Sequence, residues 1–220
     1  MECAGKGAVG VSAVMANEGP CDMFTCLEAL TLEVSTWWTW FYGAWVASEV
    51  LIAIGTRSRH SCGEVKDRGT QLLLWIVIIA SLTAGIWISY VVPAPIFGRA
   101  HWLRWAGLLV LIAGLAIRWA AVLNLGKAFS ANVAIREAQR VKNSGLYLYV
   151  RHPSYLGLVL IFLAIGLYSL NWISLAIVMI PPTLALLYRI RVEEAALREA
   201  FGEEYVAYSR MTKRLMPGVY

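Results

Sequence analysis

Residues 153–188 read PSYLGLVLIFLAIGLYSLNWISLAIVMIPPTLALLY, a stretch without a single acidic or basic side chain. About 20 mainly apolar residues suffice for a helix that spans a bilayer. The stretch is therefore long enough for two spans, with Asn171 at the point where the chain would reverse direction. We predict one helix over residues 153–170, a tight turn at Asn171 and a second helix over residues 172–188.

Three further apolar stretches precede this pair, at about residues 35–55, 71–92 and 102–123. The whole chain is 59% hydrophobic and only 15% charged, whereas soluble domains usually contain about 25% charged residues. The sequence thus predicts an all-α integral membrane protein with about five transmembrane helices, a C-terminal helical hairpin and a cytosolic C-terminal helix. Pro181 and Pro182 should kink the fifth helix.

The basic residues indicate the orientation in the membrane. Most of them lie in three segments, 57–68, 127–151 and 189–214, which follow the first, third and fifth predicted spans. Lys and Arg accumulate in cytoplasmic loops, so these segments should face the cytosol. We predict a multi-pass protein with its N-terminus outside and its C-terminus inside, and no nucleic-acid partner.

Two charged residues, Glu49 and Arg118, lie inside predicted spans. Both are one and a half to two helical turns from the predicted cytosolic ends of their helices, roughly 8–10 Å at 1.5 Å per residue. Similar depth and opposite charge suggest a buried pair, which would lower the cost of each charge. Alternatively, Arg118 extends to the interface while Glu49 faces a polar cavity.

Residues 145–157 read GLYLYVRHPSYLG and differ from the apolar sequence around them. Pro153 suits the first position of a helix, which puts His152 at the cap and Tyr155 over the same face. A helix that begins at the membrane surface presents free N–H groups that can bind a carboxylate or phosphate. The alternative is that Arg151, His152 and Tyr155 only anchor the helix at the interface.

The segment after the fifth span carries a second polar group. Arg189 and Glu193 are spaced i, i+4 and so project from one helical face. Arg189 would meet an anionic group brought by a lipid, unless it serves only as a positive anchor. Glu194 and Arg198 have the same spacing, and we predict for them a solvent-exposed ion pair. Residues 201–208, FGEEYVAY, follow, with a helix break expected at the glycine.

These motifs resemble those of the isoprenylcysteine carboxyl methyltransferases and their prokaryotic relatives. The resemblance covers about residues 124–216 and rests on R-H-P-S-Y at 151–155, E-E at 193–194 and F-G-E-E-Y-x-x-Y at 201–208. It implies methyl transfer from S-adenosylmethionine to a lipid-soluble or prenylated acceptor. A cysteine-based metal site is not predicted, because the four cysteines lack paired spacing.

The resemblance also implies a set of site residues. Arg189 and Arg151 are assigned catalytic roles, with Arg189 placed beside the acceptor carboxylate. The residues assigned to cofactor binding are Gln139, Tyr147, His152, Pro153, Ser154, Tyr155, Glu193 and Tyr205. The chain divides accordingly into an N-terminal tail (1–34), three transmembrane helices (35–123) and a cofactor-binding catalytic half (124–220).

Three other functions remain open at this point. A phospholipid amine N-methyltransferase shares the general design, but its acceptor would call for an acidic or aromatic partner rather than Arg189. A membrane sterol-type reductase would use a nicotinamide cofactor. A non-catalytic membrane scaffold would use the motif residues only as helix anchors.

Overall fold

The computed structural model describes residues 23–57, 64–65, 69–92, 101–126, 134–135 and 143–215. Its helices are α1 (Met23–Arg57), α2 (Thr70–Val91), α3 (Trp102–Leu125), α4 (Pro153–Tyr168), α5 (Trp172–Phe201) and α6 (Glu203–Met211). A 3₁₀ turn over Gly145–Leu148 precedes α4. Two short strands, β1 (Glu64–Val65) and β2 (Ala134–Ile135), pair antiparallel with Glu64 opposite Ile135. The predicted all-α membrane fold is confirmed.

Three of the helices, α2, α3 and α5, are long and apolar enough to cross a membrane among the residues described. Helix α4 is apolar but has 16 residues, about 24 Å of helix at 1.5 Å per residue. Helix α1 has 35 residues but contains Glu49 and a run of aromatic residues around Trp40. The crossing of the bilayer by α1 and α4 stays a prediction.

Two helices extend beyond their predicted ends. Helix α1 begins at Met23, inside the segment 1–34 that the sequence assigned to a tail. Helix α5 passes through its proline pair without ending and continues to Phe201. The predicted span ended at residue 188, but the helical spacing of Arg189 and Glu193 and the break expected at Gly202 predicted this continuation. The continuation is reasonable because Glu and Arg residues spaced i, i+4 support a helix after the apolar sequence stops.

The predicted tight turn between α4 and α5 is present at Asn171. Its side-chain oxygen accepts hydrogen bonds from the backbone N–H groups of Ile173 (3.0 Å) and Ser174 (3.1 Å), which caps α5. Its side-chain nitrogen donates to the carbonyl of Val92 at 2.6 Å, just after α2. Asn171 therefore fixes the start of α5 and joins it to α2.

Helices α3 and α4 touch through glycine. A Cβ atom at Gly157 would lie 2.8 Å from the carbonyl oxygen of Gly114 and 2.9 Å from the Cβ of Arg118, too close for any residue larger than glycine unless one of the helices shifts. Fully buried Leu111 and Ile161 pack beside this contact. Small residues let helix backbones approach closely in membranes, where association depends on such packing.

Helices α2 and α5 form a second close pair. A Cβ at Gly85 would overlap a methyl group of Val178, so the absence of a side chain at Gly85 permits this approach. Val178, Phe162 and Leu186 are fully buried in the same apolar core. The two close pairs hold the α4–α5 hairpin between α3 and α2.

The open question about Glu49 and Arg118 is resolved in favour of a buried pair. Arg118 Nε donates to Glu49 Oε1 at 2.6 Å, and Arg118 Nη2 donates to Glu49 Oε2 at 2.7 Å. The indole N–H of Trp45 also donates to Glu49, at 3.2 Å. A two-point guanidinium–carboxylate pair is the geometry that best offsets the cost of burying both charges.

The glycine contact can be tested by a single methyl group. We expect Gly157→Ala to lower the free energy of unfolding by about 1–3 kcal/mol, because the added Cβ overlaps the α3 backbone. Gly43→Ala in α1 is the matched control, since nothing lies within 4 Å of its Cβ position. That control should be stabilising by roughly 0.5–1 kcal/mol. Equal effects of the two substitutions on unfolding in detergent would contradict the close approach.

Candidate active site

The candidate site forms where α4 begins. As predicted, Pro153 is the first residue of α4 and His152 occupies the cap position. The His152 and Tyr155 rings stack, with centroids 5.6 Å apart and planes within 14° of parallel. Because Pro153 lacks an N–H, the helix begins here without leaving that donor unsatisfied. The local sequence thus fixes both rings on one face.

Glu193 joins the start of α4 to the later part of α5. Its Oε1 accepts a short hydrogen bond from the Tyr155 hydroxyl and lies 3.0 Å from Arg189 Nε. Its Oε2 lies 3.6 Å from His152 Nδ1. Residues from both ends of the hairpin therefore meet around one carboxylate.

Arg189 is almost completely buried, with 1% of its surface exposed. Its Nε donates to the Tyr155 hydroxyl at 3.0 Å, and its Nη1 donates to Thr70 Oγ1 at 3.0 Å. Thr70 begins α2 and was missed by the sequence analysis. Nothing in its local sequence distinguishes it, because the contact depends on how α2 packs along α5.

Glu194 forms a second cluster beside the first. Its Oε1 accepts from Arg151 Nε at 2.9 Å, and its Oε2 accepts from Arg214 Nε at 3.0 Å. The predicted solvent-exposed pair with Arg198 is wrong, since Glu194 is only 2% exposed and Arg198 lies 3.7 Å away as an outer, half-exposed partner. The sequence missed this role because Arg214 approaches only after the chain folds back.

Arg151 holds the C-terminal segment in place. Its Nη1 donates to the carbonyls of Ser209 and Thr212, both at 2.6 Å. The backbone N–H of Arg151 donates to the carbonyl of Lys213 at 2.7 Å, and that of His152 donates to the carbonyl of Arg214 at 3.0 Å. These contacts favour a positioning function for Arg151, and its assigned catalytic role stays a prediction.

Three tyrosines line the same region. The Tyr147 hydroxyl donates to the carbonyl of Ala121 at 3.3 Å, and the Tyr208 hydroxyl donates to the carbonyl of Tyr147 at 2.7 Å. Burial raises the pKa of Tyr208 to about 12 and the pKa values of Tyr147 and Tyr205 still further. All three therefore remain neutral hydrogen-bond donors at physiological pH.

Among the described residues, two buried polar atoms in this region have no hydrogen-bond partner, His152 Nε2 and the Tyr205 hydroxyl. His152 Nε2 lies 3.7 Å from Glu194 Oε1, which is too long for a hydrogen bond. Most buried polar groups are satisfied, so such atoms call for an explanation. A bound ligand or water molecule could supply the missing partners.

The remaining predicted cofactor contacts differ in position. Ser154 faces α3, where its hydroxyl is in a short contact with Arg118 Nη1. Pro153 is fully buried in the helix start, and Gln139 lies outside the described residues. Their assignment to cofactor binding, like that of the other site residues, stays a prediction. Among the described residues, no group of three His, Cys, Asp or Glu side chains could hold a metal ion.

The Arg151–Glu194 contact can be tested through the C-terminal segment. We expect Glu194→Gln to destabilise the protein by about 3 kcal/mol, because the buried Arg151 loses its carboxylate partner. Tryptic cleavage after Arg210 should then accelerate. Glu203→Gln, at an exposed position of α6, is the matched control and should leave cleavage unchanged. Equal cleavage rates in the two variants would show that Glu194 does not hold the segment.

Comparison with known proteins identifies relatives of this architecture. The model of the isoprenylcysteine carboxyl methyltransferase (ICMT) family matches residues 106–199. Protein-S-isoprenylcysteine O-methyltransferase B of Arabidopsis thaliana is 28% identical over 174 residues, 78% of this chain and 87% of that protein. The Saccharomyces cerevisiae protein-S-isoprenylcysteine O-methyltransferase is 38% identical over 104 residues, 46% of this chain and 44% of that protein.

A solved structure is also similar. The eukaryotic intramembrane Ras methyltransferase ICMT, solved without a monobody, aligns with a TM-score of 0.56 and 25% identity over 70% of this chain and 54% of that one. The chain therefore spans most of the plant relative and about half of the yeast protein and of the solved structure.

The fold and the site together define a helical integral membrane protein with a polar cluster at the open end of its C-terminal hairpin. Over residues 106–199 the chain resembles the isoprenylcysteine carboxyl methyltransferase family. The resemblance that the R-H-P-S-Y and E-E motifs suggested is thereby confirmed.

Proposed function

We propose that this chain transfers a methyl group from S-adenosylmethionine to the carboxylate of a lipid-soluble, isoprenylcysteine-like acceptor at the cytosolic membrane face. The family match over residues 106–199 and the names of the relatives support the reaction class. The main support for a carboxylate acceptor is that Arg189 Nε and the Tyr155 hydroxyl converge on one carboxylate oxygen, that of Glu193. Donors arranged in this way suit the recognition of a carboxylate.

The acceptor needs little activation. A carboxylate is already ionised at neutral pH, so the reaction does not require a strong general base. The protein must instead hold the oxygen in line with the methyl carbon and exclude water. Arg189 suits this task because burial reduces the screening of its charge and Thr70 limits its movement.

The residues of the site fit S-adenosylmethionine. Glu193, which keeps 17% of its side chain exposed, can accept hydrogen bonds from an amino group or ribose hydroxyls. His152 Nε2 and the Tyr205 hydroxyl are buried and have no hydrogen-bond partner within the described part of the chain, and the start of α4 is suited to a carboxylate. When bound, the cofactor supplies a methyl group whose carbon–sulfur bond breaks as the carbon–oxygen bond to the acceptor forms.

The charge distribution supports a cytosolic site. Arg151, Arg189, Arg198 and Arg214 all lie at the open end of the α4–α5 hairpin. Basic residues favour the cytosolic side of a membrane, which would place the C-terminus inside and the N-terminus outside. A lipid-soluble acceptor would then reach Arg189 laterally, between the apolar helices.

The proposal can be tested by methyl transfer to a farnesylated cysteine with a blocked amino group. Wild-type protein in lipid should incorporate labelled methyl as a base-labile ester. Arg189→Gln should lower kcat/KM at least about 100-fold, because a charged hydrogen bond to the acceptor is lost. Arg191→Gln, two residues along on an exposed face, is the matched control and should remain active.

Other outcomes of the same assay would overturn the proposal. Incorporation of base-stable methyl into a phospholipid amine, with none into the cysteine derivative, would indicate an N-methyltransferase. Binding of a reduced nicotinamide, with no affinity for S-adenosylhomocysteine, would indicate a reductase.

A further inference from the structure

One face of α3 contacts the segment 145–157, which carries the site motif, at several points. The side chain of Asn124 lies against Gly145, where an added Cβ would be 3.0 Å from the amide nitrogen. The carbonyl of Ala121 accepts from the Tyr147 hydroxyl at 3.3 Å. Arg118 contacts Ser154, one residue into α4. Arg118, Ala121 and Asn124 are three residues apart in the sequence and therefore lie on one face of α3.

Arg118 is the charged residue among these three, and three of its nitrogen atoms donate hydrogen bonds. Nε and Nη2 bind the two carboxylate oxygens of Glu49. Nη1 binds the Ser154 hydroxyl and lies 3.3 Å from the Ser154 carbonyl oxygen. Arg118 and Glu49 are both 5% exposed, so water cannot replace the hydrogen-bond partners of the guanidinium group.

The same residue also fixes how closely α4 approaches. A Cβ at Gly157 would lie 2.9 Å from both the Cβ and the backbone nitrogen of Arg118. The first turn of α4 therefore rests on the Arg118 backbone and is held at Ser154 by the Arg118 side chain. Tyr155, on this same turn, reaches Glu193 on the other side of the helix.

We propose that Arg118, oriented by Glu49, is a positioning residue for the site, because it sets the depth and rotation of the first turn of α4. The described contacts of Arg118 and Glu49 include neither Arg189 nor Glu193, so their effect is transmitted through Ser154 and the turn that carries His152 and Tyr155. This inference rests on the proposed methyltransferase function for its kinetic readout.

The double variant Glu49→Gln, Arg118→Met separates positioning from folding. It removes both charges together, so that no uncompensated charge stays buried, and a neutral replacement of a buried pair is often tolerated. We expect an unfolding midpoint close to that of the wild type, a kcat/KM about 10- to 100-fold lower and weaker binding of S-adenosylhomocysteine. A purely structural pair would change the yield of folded protein but leave both constants unchanged.

Arg118→Lys is the second variant, in case the double variant does not fold. Lysine keeps a positive charge beside Glu49 but lacks the planar guanidinium group that also reaches Ser154. This variant should therefore show the same fall in kcat/KM. Asn171→Ala is the control, since it removes the cap at the opposite end of the hairpin. We expect it to lower the unfolding midpoint while kcat/KM per folded molecule stays unchanged.

Hydrogen exchange of the amides of residues 155–157 provides a readout that does not depend on turnover. Exchange should be faster in Arg118→Lys than in the wild type and unchanged in Asn171→Ala. Wild-type exchange and wild-type kinetic constants in the Arg118 variants would overturn this inference alone. A wild-type protein that transfers no methyl group would instead contradict the proposed function, and the exchange experiment would still decide the positioning.

Discussion

The carboxylate of Glu193 joins the two ends of the α4–α5 hairpin. Tyr155 at the start of α4 donates to it, and Arg189, one turn earlier in α5, lies 3.0 Å from the same oxygen. A charge buried as deeply as that of Arg189 is costly unless it is paired. This requirement brings Arg189, Tyr155 and His152 together, and the polar character of the site follows from the same arrangement.

Two features of the surrounding helices hold this arrangement. Gly114 and Gly157 let α3 and α4 touch, which places Arg118 against the first turn of α4. On the other side, Thr70 at the start of α2 binds Arg189. Because packed interiors transmit small displacements, a change at either contact should displace residues of the site.

Local signals in the sequence predicted several parts correctly. Pro153 marked the start of α4, Asn171 marked the turn, and Gly202, which adopts a φ of 52°, marked the break before α6. Spacing alone predicted that Arg189 and Glu193 share a face. The burial of Glu194 and the contacts of Thr70 and Ser154 were missed, because each depends on a partner distant in sequence. Helix α1 begins before the predicted span because neither glycine nor proline occurs between Met23 and residue 35.

The central claim is that the two ends of the hairpin form one cofactor site. A double-mutant cycle with His152→Ala and Glu193→Gln, measured by calorimetric titration of S-adenosylhomocysteine, tests it directly. Both single variants should weaken binding, and the double variant should lose less than the sum of the two, with a coupling energy of about 0.5–3 kcal/mol. Strictly additive losses, or a wild-type protein that does not bind S-adenosylhomocysteine, would contradict the claim.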